Sequence, residues 1–289
     1  MKPRIGLFTG DPSGIGPEVA AKLLAGPDTA ELAEIIAIGD APPDCPPAQA
    51  SRIAGEYTIG ALRAGIAALQ SWAIDALVYA PLNKQAMKLA GLPHEDELHL
   101  FADLLGHAGP ISEINVCGRL WTSRVTSHVP HRDVASLLTA EKIREVGRLL
   151  HRTVAQSGVA APKIAVAALN PHAGEGGLLG TEEIEIIAPA VARLRAEGLN
   201  AIGPLPADTL FVAARRGDFD GVVTMYHDQG QIAMKLMGFD RGVTVAGGWP
   251  AIITTPAHGT AFDIVGKGVA DPGAMREAFR IACEMAMSR

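Results

Sequence analysis

The sequence predicts an α/β protein with a doubly wound sheet, and three observations carry that prediction. Short apolar runs such as Ile164-Ala165-Val166-Ala167-Ala168-Leu169 alternate with longer segments of helical period. Several of these runs stop at a proline or glycine turn, as strands of a parallel sheet do. The 289 residues are 48% hydrophobic but only 4% aromatic, so Ala, Val, Ile, Leu and Gly must fill the core. That bias suits helices laid on a parallel sheet better than a β-sandwich.

Element by element, 5–9 reads as a strand and 10–16 as a loop. Pro17 stands where a helix begins and Gly26 just past its end. Residues 34–38 form a second short strand, and the proline-rich stretch 41–47 is irregular. A helix spans 58–71, and the strand at 76–80 stops at Pro81. Residues 95–105 are helical. Residues 114–117 and 120–127 read as two close strands, an antiparallel pair. The segment 141–156 is amphipathic, with Ile143, Val146, Leu149, Leu150 and Val154 on one face. After the strand at 164–169, Thr181 caps a helix that carries Glu182 and Glu183 in its first turn, ends at Gly198 and is kinked or split by Pro189. Residues 221–226 form another strand, 242–253 mix glycine with β-branched residues, and a last helix runs over 273–287. Two lobes are expected, 1–112 with 242–289 and 113–241.

The net charge of −6 provides no basic face for nucleic acid. The cysteines Cys45, Cys117 and Cys283 are odd in number, widely spaced and form no CxxC pair, so they read as structural thiols rather than a disulfide framework or zinc site. The N-terminus enters a strand at once and is broken by Gly10-Asp11-Pro12, too short for a signal peptide. No segment approaches the roughly 20 apolar residues of a membrane span. A cytoplasmic protein is expected.

Chemistry concentrates at three histidines, each beside a turn after an apolar run: His128 in Ser127-His128-Val129-Pro130, His172 in Asn170-Pro171-His172-Ala173-Gly174, and His227 in Tyr226-His227-Asp228-Gln229. Strand tips of open α/β sheets are where ligands bind, and three neutral imidazoles leave a catalytic cation one open position. Any one of them alone reads more readily as a solvated loop histidine than as a ligand; three at strand ends shift the balance toward a metal site. Asp208 and Asp228 read as carboxylates of the metal shell or as capping residues, Asp208 before Thr209 fitting an N-cap. Lys235 is a substrate-anion partner or proton carrier, or an ordinary surface lysine. The loop Gly10-Asp11-Pro12-Ser13-Gly14-Ile15-Gly16-Pro17-Glu18 fits both ligand approach and a structural turn, being neither a dinucleotide fingerprint nor a Walker A. Trp72, Trp121 and Trp249 read as packing.

The glycine-punctuated stretch from His258-Gly259-Thr260-Ala261 to Asp271 closely resembles the adenosine-binding loop of isocitrate and isopropylmalate dehydrogenases. With 10–18, 80–84, 126–133, 169–183, 203–211 and 225–230, it makes the chain resemble the 4-hydroxythreonine-4-phosphate dehydrogenase family. The resemblance implies a two-lobed α/β/α fold of the isocitrate/isopropylmalate dehydrogenase type. It also implies a homodimer with its active site at the interface, and a divalent metal, often zinc. His128, His172 and His227 fall on the family's metal ligands, and Lys235 on its substrate lysine. The family's substrate-binding histidine–threonine pair aligns with Glu97 and Leu98, its asparagine with Thr244 and its arginine with Ile253. The metal and cofactor machinery is thus retained while the substrate cradle is rebuilt, with Glu97, Thr244 and Lys235 as its contacts.

The expected activity is oxidation of a secondary alcohol β to a carboxylate of a small hydroxy acid, with decarboxylation. Its acceptor is NAD or NADP, held by His258, Gly259, Thr260, Ala261 and Asp271. It uses one divalent metal (zinc, with manganese, cobalt or magnesium as alternatives), which polarises the hydroxyl. Lys235, Asp208 and Asp228 form the expected catalytic set. The substrate expected is a cis-dihydrodiol carboxylate or a phosphorylated four-carbon acid, and the competing reading is a metal-dependent lyase without nicotinamide.

Overall fold

The computed structural model describes residues 2–289. The first half contains β1 (Arg4–Phe8), α1 (Gly16–Leu24), α2 (Thr29–Leu32), β2 (Glu34–Ala37), α3 (Arg52–Gln70), β3 (Ala76–Tyr79), α4 (Lys84–Leu89), α5 (Glu97–Leu104), β4 (Ser112–Cys117), β5 (Leu120–Arg124) and α6 (Val134–Leu137). There follow α7 (Ala140–Gln156), β6 (Lys163–Ala167), α8 (Ala188–Ala196), β7 (Asn200–Leu205), α9 (Ala207–Arg215), β8 (Gly221–Thr224), α10 (His227–Gly238), β9 (Val243–Gly247), β10 (Ile252–Pro256) and α11 (Gly273–Met287). The chain divides into two compact units, Met1–Gly109 with Asp240–Arg289, and Pro110–Phe239.

In the first unit the strand order is β2-β1-β3-β10-β9. All neighbours are parallel except β9, which runs antiparallel to β10. The central strands β3 and β10 are buried along their whole length, as strands covered on both faces must be. Phe8, Leu62, Ile66, Leu77 and Phe279 fill the core between sheet and helices.

In the second unit the order is β4-β5-β8-β6-β7. β4 is antiparallel to β5, and β5, β8, β6 and β7 are parallel. β5, β8 and β6 are therefore adjacent and point the same way. Their C-terminal ends lead into the turns of His128, His227 and His172, the end of a parallel sheet where ligands bind.

Several elements differ from expectation. α3 starts at Arg52 rather than 58, capped by Ser51, whose Oγ accepts from the Ala54 amide at 3.2 Å. Gly55 masks that first turn by lowering helix propensity. β5 stops at Arg124, short of 127. Thr181 does not cap with its side chain: its carbonyl accepts from the Ile184 and Glu185 amides, and a π-helical turn, Glu183–Ile187, precedes α8. Pro189 sits in the first turn of α8, where its missing N–H costs least. The mixed region 242–253 resolves into β9 and the start of β10. Helices α2, α4, α6 and α10 and strand β7 were not anticipated, and α9 was foreseen only through the N-cap reading of Asp208. None of the three cysteines forms a disulfide; Cys283 is buried and the other two are half-buried.

Candidate active site

The β5 and β8 tips are joined directly. Thr126 donates to the Met225 carbonyl twice, from its amide at 3.1 Å and its hydroxyl at 2.8 Å. Two residues beyond each of these anchors stand His128 and His227, with ring centroids 5.6 Å apart and planes tilted by 43°. An imidazole nitrogen about 2.1 Å from a zinc-type ion places its ring centroid about 3.2 Å from that ion, so two such rings at a tetrahedral angle lie about 5.2 Å apart. The observed spacing fits two imidazoles sharing one cation. Asp228 Oδ1 lies 2.7 Å from His227 Nδ1, which leaves Nε2 as the free ligand nitrogen, the usual carboxylate–histidine arrangement.

His172 is exposed and lies on an unusual turn. His172, Ala173, Gly174, Glu175 and Gly176 are all left-handed, with φ of 53°, 54°, 79°, 45° and 68°. Three of them carry a Cβ, which costs energy in this region. A buried carboxylate anchors the start of the turn. Glu183, 2% exposed, accepts through Oε1 from the Leu169 and Asn170 amides, each at 2.8 Å, and through Oε2 from Asn170 Nδ2 at 3.0 Å. A Cβ on Gly174 would stand 2.7 Å from Glu183 Oε2, so only glycine fits there. Among the described residues of one chain, no three His, Cys, Asp or Glu side chains are grouped as a metal site.

Lys235 is exposed, two turns along α10 from His227. Asp208 is also exposed. It is not the N-cap of α9, a position held by Pro206; it lies inside the first turn, with Oδ1 on the Thr209 amide at 2.9 Å.

In the first unit the glycine loop and the 258–271 loop pack together. Ile15 N donates to Thr260 O at 3.1 Å, and a Cβ on Gly14 would stand 2.7 Å from Thr260 Cβ. Gly10, at φ +79°, and Gly16 each press on backbone, so the glycines of this loop serve close chain packing. Glu18 accepts from the Ala270 amide at 2.9 Å, while Lys22 donates to Gly268 O at 2.9 Å and Ala270 O at 2.7 Å. The hydrogen bond from Lys22 holds the Glu18 carboxyl below the usual carboxylate range, against a smaller desolvation effect. Asp271 accepts from the Gly273 amide at 2.7 Å and so opens α11. His258 Nδ1 lies 3.0 Å from Gly259 O, Gly259 faces open space, and Ala261 is left-handed at φ 42°.

Of the rebuilt cradle positions, Glu97 begins α5 with Oε2 3.9 Å from Lys84 Nζ. Leu98 is buried, Thr244 is half-buried in β9, and Ile253 is wholly buried in β10, paired in register with Leu77. The residues that sequence reasoning missed are those that hold the turns: Glu183, read only as a first-turn acid, and Gln229, not singled out. Their chemistry lies in the partners they reach, which no spacing reveals.

The mostly parallel strands of each unit, layered with helices, belong to the α/β fold class of the isocitrate dehydrogenases. An isocitrate dehydrogenase from Methylococcus capsulatus superposes on the protein with a TM-score of 0.52, covering 98% of this chain and 85% of that one; at 15% identity the likeness is one of fold. The family follows from sequence: the model for the pyridoxal phosphate biosynthetic protein PdxA matches residues 18–282, and the chain belongs to the PdxA family. A Pseudomonas aeruginosa relative with the provisional name 4-hydroxythreonine-4-phosphate dehydrogenase 2 is 46% identical over 98% of this chain and 97% of its own. The D-threonate 4-phosphate dehydrogenase of Cupriavidus necator is 37% identical, over 99% and 98%. Among solved structures, a 4-hydroxythreonine-4-phosphate dehydrogenase from Burkholderia phymatum is 36% identical at a TM-score of 0.84, covering 99% and 98%. A terephthalate 1,2-cis-dihydrodiol dehydrogenase from Burkholderia xenovorans LB400 is 26% identical at 0.72, covering 98% of each chain. The protein is a dehydrogenase acting on CH–OH, chemistry that implies a nicotinamide acceptor. No helix among the described residues is long and apolar enough to cross a membrane.

Proposed function

We propose that this chain oxidises the secondary alcohol of a phosphorylated four-carbon hydroxy acid with NAD or NADP, and that the resulting β-keto acid loses carbon dioxide. The observation that carries the proposal is the His128–His227 pair, spaced to share one cation on the scaffold of a dehydrogenase family. The phosphorylated substrate class rests on the names of relatives at 46% and 37% identity, against 26% for the dihydrodiol enzyme.

His128 and His227 bind the cation, zinc foremost, and His172 of the partner subunit completes the set in a homodimer with its active sites at the interface. A single chain brings two imidazoles together and keeps the third on a separate turn, which supports this division. A cation there supplies Lewis acidity toward the substrate hydroxyl. Asp228 fixes the His227 tautomer, and Asp208 is the second carboxylate of the shell. Lys235 pairs with a substrate anion, a role left to it because Ile253 places no cation on β10. Thr244 and Glu97 line the remainder of the cradle. His258, Gly259, Thr260, Ala261 and Asp271 hold the adenosine end of the nicotinamide cofactor, with open Gly259 admitting close backbone approach.

The test measures NADH and NADPH formation from D-threonate 4-phosphate, 4-hydroxythreonine 4-phosphate and terephthalate cis-dihydrodiol with zinc, manganese, cobalt or magnesium. A phosphorylated acid turns over and chelation abolishes its turnover. Turnover of the dihydrodiol alone rejects the substrate class. His172→Ala loses metal and turnover together; full metal occupancy in that variant rejects His172 as a ligand.

A further inference from the structure

The turn that carries His172 is tied to the turns that carry His128 and His227 through one side chain. Gln229 lies in the first turn of α10, two residues after His227. Its Oε1 accepts from the Met225 amide at 2.7 Å, and its Nε2 donates to the Ala168 carbonyl at 2.7 Å. Met225 is the residue whose carbonyl takes both hydrogen bonds from Thr126. The chain of contacts thus runs from the β5 tip through Thr126, Met225 and Gln229 to the β6 tip, and each link lies a few residues from one of the three histidines. Neither end of the amide can be exchanged. The Met225 N–H requires an acceptor and the Ala168 carbonyl a donor, at opposite ends of one side chain, and only Gln has both at this length.

We infer that Gln229 is a positioning residue that, by holding the β6 tip to the β5–β8 junction, fixes the direction in which the His172 turn projects and so where His172 enters the partner subunit's site. The inference rests on the proposed metal site, although Gln229 itself touches neither metal nor substrate. A glutamate at this position is the discriminating change. It is isosteric and keeps the bond from Met225, but it presents a carboxylate oxygen to the Ala168 carbonyl, and the two repel. The β6 tip then moves off while the β5–β8 junction stays. Partners that orient metal-binding histidines from outside the ligand set are worth about 10- to 100-fold in affinity.

The test titrates cobalt(II) into the full-length wild type, Gln229→Glu and Gln229→Met, and follows affinity and the visible ligand-field spectrum. Thr153→Val serves as a stability control; it removes a buried hydrogen bond within α7, from Thr153 Oγ1 to Leu149 O at 3.0 Å. Both Gln229 variants are expected to lose about 10- to 100-fold in cobalt affinity and to show an altered spectrum, with thermal stability no lower than that of the control, which keeps wild-type affinity. Wild-type affinity and spectrum in both variants overturn the role of Gln229 while leaving the metal site standing. Failure of both variants to fold also overturns it, because the amide then holds the sheet rather than the turns. Absence of cobalt binding by the wild type rejects the metal site itself, and the inference with it.

Discussion

Asp11 is a carboxylate shut away from water. It is 0% exposed, its Oδ1 accepts from the Ser13 amide at 2.8 Å, and its Oδ2 has no hydrogen-bond partner among the described residues. Burial pushes its carboxyl above the ordinary aspartate range, against a smaller opposing effect of the Ser13 amide. The folded state therefore holds this proton more tightly than the unfolded chain does. The stability contributed by the site is greatest in acid and falls as pH rises through the raised value. Asp11→Asn keeps an acceptor for Ser13 and removes the buried charge. It should gain about 1 kcal/mol at pH 7, with the difference from wild type closing below the ordinary aspartate pKa. Urea unfolding at both pH values checks this, and an equal difference at the two rejects the charge as its cause. Sequence placed Asp11 in a glycine-rich loop but left its burial unknown. For Cys283 the structural reading held: burial pushes the thiol up to about 12. Cys45 and Cys117 are only half-buried.

The left-handed turn at 172–176 shows what an element costs and what the sequence conceals. Ala173 sits at φ 54°, ψ 43°, a region that glycine occupies freely and alanine does not. Ala173→Gly should stabilise the protein by about 1 kcal/mol in denaturant unfolding, because relief of the Cβ clash outweighs the added entropy of the unfolded chain. A destabilised variant would show that Cβ packing dominates at this site. Elements with uniform patterns were legible from the chain. α7 has an apolar face at helical spacing, and α11 runs over the residues expected, 273–287. α10 was not legible, because Gly230 weakens its first turn and the apolar run before it reads on as strand. The π turn before α8 was not legible either. Pro189 signalled a break, but the hydrogen bonds of Glu183 that accompany it come from Leu169 and Asn170, just past the end of β6 and more than ten residues away in sequence.

For the whole molecule, residue types suggested a chemistry and left its assembly open. Apolar runs ending at histidines pointed to strand tips, and parallel pairing of β5, β8 and β6 brings those tips to one end of the second unit. No spacing in a sequence reports whether three rings meet within one chain or across two. The pair at 5.6 Å and the separate His172 turn make a distinguishable prediction. A dimer built from His172→Ala and His128→Ala chains has two unlike sites. One combines the intact pair of the first chain with the partner subunit's His172; the other lacks both. Each variant alone is inactive. Unfolding, mixing and refolding them in equal amounts yields half mixed dimers, so about one quarter of all sites should be restored under twofold symmetry. Activity and bound metal should return together to about that fraction. A mixture as inactive as its parents would place His128 and His172 on the same chain, and the interface would then have to supply something other than His172.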